Sequence, residues 1–132
     1  MKGQSAMEFL SMVSMSALIL ALLYGLVATK QADLNQYKRI DNAEHATEQL
    51  SYEIEMALVQ GEGYSRVFYL DEKIGGRYYN ISVGHTNVLL ETEAFSYNRN
   101  TLYRGEWINV STKESNIFRV YNNGSVVVEN AG

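Results

Sequence analysis

The chain has 132 residues and a formal net charge of -4, too mild for a disordered acidic tail and of the wrong sign for a nucleic-acid binder. It has no cysteine, which excludes a disulfide framework, a thiol nucleophile and a thiolate metal site. Its length suits one compact domain plus something extended, and the absence of proline permits a long unbroken helix.

Phe9 to Ala28, FLSMVSMSALILALLYGLVA, is a run of twenty residues without a charge. About twenty apolar residues at roughly 1.5 Å each span the hydrocarbon of a bilayer. Ser11, Ser14 and Ser16 interrupt it, and a helical hydroxyl can bond back to a carbonyl one turn earlier. The run is too long for the apolar part of a cleavable secretory signal, so a single-span membrane anchor is the plain alternative to any special role. From residue 29 to 60 the period stays helical while the composition turns polar. Leu34, Tyr37, Ile40, Ala43, Ala46, Leu50, Ile54 and Ala57 recur at steps of three and four, one stripe of an amphipathic helix. Gly61, with Gly63 behind it, predicts the stop. A helix over 4–60 is on the order of 85 Å long at 1.5 Å per residue. No small domain buries such a helix, so its first half requires lipid or other copies of itself.

From Tyr64 the period changes to two. Strands are expected at Tyr64–Leu70, Arg77–Val83, Asn87–Glu91, Trp107–Ser111, Ile117–Asn122 and Ser125–Glu129, with one more within Ala94–Tyr103. Asn123-Gly124 predicts a type I′ hairpin, because both central residues of that turn need positive φ. That pairing places Ile117, Tyr121, Val126 and Val128 on one face, and Phe118, Val120 and Val127 on the other. Both faces are partly apolar, which puts the hairpin inside a sandwich or against the helix. The expected fold class is α+β: a segment 1–3, a long helix 4–60 (4–28 hydrophobic, 29–60 amphipathic) and an antiparallel β domain 61–132.

Before the apolar run stands Lys2-Gly3-Gln4-Ser5-Ala6-Met7-Glu8-Phe9-Leu10. A glutamate heading a transmembrane-grade helix costs roughly 2.5–3.5 kcal/mol at bilayer depth and less near the interface, which makes Glu8 either a functional group or a headgroup-level one. The stretch resembles the class III signal sequence of archaeal type IV pilins. The resemblance covers residues 1–28 closely and the helix-then-strands layout loosely. It implies that 1–3 is a leader, that a prepilin peptidase cuts between Gly3 and Gln4, and that Gln4, Glu8 and Phe9 are assembly residues. It also implies that Glu8 pairs with the freed Gln4 amine of a neighbouring subunit, although an N-terminal glutamine can cyclise and lose that charge. The precursor would lie in the cytoplasmic membrane and then enter a helical homopolymer on the cell surface, served by an assembly platform and its ATPase.

Other features are less directive. Lys30, Lys38 and Arg39 form a basic band and Asp41, Glu44, Glu48, Glu53 and Glu55 an acidic one, which staggered copies could bring together or which could be a solvated face. Lys2 and the amine on one side of the apolar run, against those three basic residues on the other, do not favour the N-inside orientation of a pilin. Asn80, Asn109 and Asn123 head three Asn-x-Ser sequons in the strand-rich part, consistent with the glycosylation that archaeal surface filaments carry. His45 and His85 stand far apart with no ligand cluster, and no phosphate loop or nucleophile elbow is present. No catalysis, no cofactor and no nucleic-acid partner are expected. The main reading is an adhesive pilus subunit. A minor pseudopilin-like component of a secretion or uptake machine and a single-span protein with a ligand-binding β domain are the alternatives.

Overall fold

The computed structural model describes residues 2–132; Met1 of the expected leader lies outside them. Helix α1 (Lys2–Gln60) is followed by seven strands: β1 (Ser65–Tyr69), β2 (Asn80–Gly84), β3 (Asn87–Glu91), β4 (Ser96–Asn100), β5 (Ile108–Ser111), β6 (Ile117–Asn122) and β7 (Val126–Asn130). The class is α+β. The helix stops where Gly61 turns to φ 80°, a left-handed conformation that costs a residue without Cβ little. The Ala57 carbonyl, in the last turn, accepts from the Gly61 amide at 3.2 Å and also from the Asn122 side-chain amide at 2.9 Å.

All strand pairings are antiparallel, in two sheets ordered β1-β6-β7 and β4-β3-β2-β5. The strands alternate: Ile81 and Val83, Val88 and Leu90, and Phe118 and Val120 are buried, while their neighbours turn outward. These inward residues form one core with Ala43, Ala46, Leu50, Ile54 and Ala57, the second part of the amphipathic stripe. Leu50 and Ile54 are fully buried there, each contributing about 1.5–3 kcal/mol by leaving water. The unit that this core defines is Arg39–Gly132.

The β6–β7 register differs from expectation. Tyr121 faces Val127 and Asn122 faces Val126, leaving Asn123-Gly124-Ser125 as a three-residue loop. Phe118, Val120, Val126 and Val128 therefore share the core-side face, and Ile117, Tyr121 and Val127 the other. In the loop only Gly124 has positive φ, at 111°, so the two-residue turn that would need it at Asn123 as well does not form. The Gly124 amide donates instead to Asn122 Oδ1 at 3.0 Å. One residue of slip exchanges the faces of the whole strand.

Candidate functional site

An α-helix satisfies its own backbone, so what it presents is decided by its side chains. From Lys2 to Asp41 every residue of α1 is exposed. The exposure includes the apolar run: Phe9 is 66% and Tyr24 77% accessible. By length and composition this helix can cross a membrane, and none of its most apolar window is buried. Two hydroxyls within and beside the run bond back one turn, Ser16 donating to the Met12 carbonyl and Thr29 to that of Gly25, each at 2.9 Å. Leu34, Tyr37 and Ile40, in phase with the buried stripe, are bare as well.

Gly3 and Gln4 lie in the first turns of α1, and Glu8 and Phe9 one turn further on, all exposed. Gln4 and Glu8 are one helical turn apart on one face, and the Glu8 carboxylate has no hydrogen-bond or ion-pair partner among the described residues. The sequon asparagines are exposed too: Asn80 on β2, Asn109 on β5 and Asn123 in the β6–β7 loop. Two of them are brought together. In the β2–β5 register Asn80 faces Ser111 and Ser82 faces Asn109, so each sequon's acceptor opposes the other's hydroxyl residue.

The acidic band is largely spent inside the chain. Glu48 pairs with Arg99 at 3.1 Å, and Glu55 accepts from the Thr101 hydroxyl at 2.9 Å and the Leu102 amide at 3.1 Å. Asp41 lies 3.7 Å from His45 on the same helix. Glu53 is the exception in kind. It is buried, its Oε1 stands 3.6 Å from Arg66, and its Oε2 has no partner. Burial pushes its carboxyl above the ordinary range, against the downward pull of Arg66. Burial likewise raises the hydroxyls of Tyr79 and Tyr103, which donate to the Asp71 and Glu106 carbonyls. These are loop staples: each tyrosine ties the chain beside a strand end.

No family model, curated protein or solved structure matches the chain. No group of three or more metal-ligating side chains occurs among the described residues. The feature that demands explanation is the apolar, wholly exposed part of α1, because soluble monomers rarely leave such a surface in water.

Proposed function

We propose that the chain is the structural subunit of a type IV pilus-like surface filament of the archaeal kind, polymerising through the apolar part of α1 and serving adhesion. The observation that carries this reading is the complete exposure of Phe9–Ala28 on a helix whose own domain begins covering it only at Ala43. A long apolar N-terminal helix followed by antiparallel sheet is compatible with a pilin-like fold. In the proposed life cycle the run first lies in the cytoplasmic membrane. A prepilin peptidase then cuts between Gly3 and Gln4, and an assembly platform with its ATPase moves the helix into a bundle of identical copies. Lipid hydrocarbon and a bundle of apolar helices satisfy the same surface, so the transfer exchanges one dry environment for another. Glu8 is the group that distinguishes them, since a carboxylate among packed helices needs a partner. The exposed asparagines of the β unit supply positions for glycosylation.

The count of basic residues on either side of the run favours a second reading, a single-span membrane protein in the opposite orientation. Mass spectrometry of the native N-terminus separates the two. A chain beginning at Gln4, or at its cyclised form, is expected, and an intact Met1 or a cut after Ala28 would sink the pilin reading. Electron microscopy of sheared surface fibres then shows whether the chain is the bulk of the fibre or a trace component of a related machine.

A further inference from the structure

The outward face of the four-stranded sheet is rich in asparagine and serine. The pairing registers place Asn109 and Ser111 of β5, Asn80 and Ser82 of β2, Asn87, Leu89 and Glu91 of β3, and Ser96, Asn98 and Asn100 of β4 on that one side. At one end of it lies an open groove of about 1000 Å³. Its floor is a single row across all four strands: Ser111, Asn80, Glu91 and Ser96. Three inter-strand spacings of about 4.8 Å make that row about 14 Å long, enough for a short chain of rings rather than one. Side chains of this row project outward from a paired sheet, so they are held by backbone and not by a mobile loop.

The chemistry of the groove narrows the ligand. The Glu91 carboxylate and the Asn80 amide have no protein partner among the described residues, and they offer two acceptor oxygens and a combined donor–acceptor group side by side. The charged lining residues are Arg77, Lys113, Glu91 and Glu93, two of each sign, and Arg77 is already paired with Glu93. A balanced lining gives no field to concentrate a polyanion or a polycation. Tyr78 adds an aromatic wall, 41% exposed, and Lys73, which does not line the groove, braces its ring from 4.7 Å. An added peptide strand is poorly served across the floor: β2 and β3 are paired on both sides, and only the edges β4 and β5 could take one. Vicinal hydroxyls on a ring with an apolar C–H face are what an unpaired amide and carboxylate in one row, with an aromatic group lining the same groove, can satisfy together.

We propose that this groove binds an uncharged oligosaccharide, with Glu91 and Asn80 bonding its hydroxyls and Tyr78 packing against a sugar face. Occupancy does not require polymerisation, so it goes beyond the filament reading and stands or falls separately from it. An N-glycan on Asn80 would fill the same groove, which makes the unmodified chain the binding form.

The test uses the full chain in detergent micelles, produced in a host that does not glycosylate Asn80, titrated calorimetrically with cellohexaose, maltohexaose and N-acetylated chitohexaose. At least one of these should bind, and Glu91→Gln and Tyr78→Ala should each weaken it by about tenfold or more. Asn98→Ala, on the same sheet face but outside the groove, should leave binding unchanged. Absence of binding by all three at about 10 mM would overturn the proposal. So would equal affinity in Glu91→Gln and Tyr78→Ala with near-ultraviolet circular dichroism unchanged, or preference for dextran sulfate over every neutral probe.

Discussion

Glu53 shows how one residue can oppose the fold that contains it. Glu48 and Glu55, within two turns of it, each have short, satisfied contacts, whereas Glu53 is buried with one oxygen unpartnered and a single distant arginine. Its raised carboxyl value means that the folded state holds the proton more tightly than the unfolded chain does. The linked stabilisation is therefore fully present below the ordinary carboxylate range and is lost as pH rises through the raised folded value. Glu53→Gln keeps the shape and removes the buried charge; the Arg66 left behind is half exposed and stays hydrated. The substitution should stabilise the β unit by about 1 kcal/mol at neutral pH. Its advantage over the native chain should shrink as pH falls toward the ordinary carboxylate value and be gone below about 4.5. Thermal unfolding of both proteins across that range checks it: a difference that does not vary with pH would mean that Glu53 titrates normally.

At the scale of elements, the two hairpin turns explain which parts of the fold were legible. Asn123-Gly124 carries the standard signal for a two-residue turn and yet forms a three-residue loop, while His85-Thr86, with no glycine, makes the tight β2–β3 turn at φ 51° and 72°. A β-branched residue is strained in that region. The conformation is imposed from outside: the Thr86 amide donates to the Tyr103 carbonyl, the Thr86 carbonyl accepts from the Thr101 amide, and the Trp107 ring packs 5.5 Å from that of His85. Gly84 gives Trp107 room, since a Cβ there would stand 2.9 Å from the indole. Contacts between residues tens of positions apart are invisible to local turn preferences, whereas the period-two pattern that located the strands is local. For the same reason Arg77–Tyr79, read as strand, belongs to a loop that Tyr79 and Thr112 tie together through backbone and hydroxyl. The groove floor was hidden too, because it exists only once four strands are in register. The β6–β7 register has a direct consequence. Val126→Ala should cost about 2 kcal/mol and Val127→Ala under about 0.5 kcal/mol, because only the former is buried in the core. Denaturation followed by the fluorescence of Trp107, the single tryptophan, reads both; the opposite ranking would restore the two-residue turn.

For the whole molecule the governing fact is that its two parts obey different solvents. The β unit from Arg39 onward closes its own core, and among the described residues none of the most apolar window of the helix is buried. Burial of an exposed large apolar side chain is worth about 1.5–3 kcal/mol, so a run such as Phe9–Ala28 forces association with lipid or with like helices. That force has no direction and cannot by itself choose between the two. Glu8 can, because a carboxylate at the interfacial edge of a bilayer stays hydrated, while the same group between packed helices is stable only with a positive or donating partner. In the proposed assembly the Gln4 amine of a neighbour fills that role, provided it has not cyclised. Glu8→Gln should then leave membrane insertion unchanged, as judged by fractionation, and lower the yield of sheared filaments by about tenfold or more. Restoring the charge nearby should not rescue it: Ala6→Glu combined with Glu8→Gln turns the carboxylate about 160° around the helix and off the Gln4 face. Filaments at native yield from Glu8→Gln would reduce Glu8 to an interfacial residue. Rescue by the displaced charge would mean that its sign matters and its geometry does not.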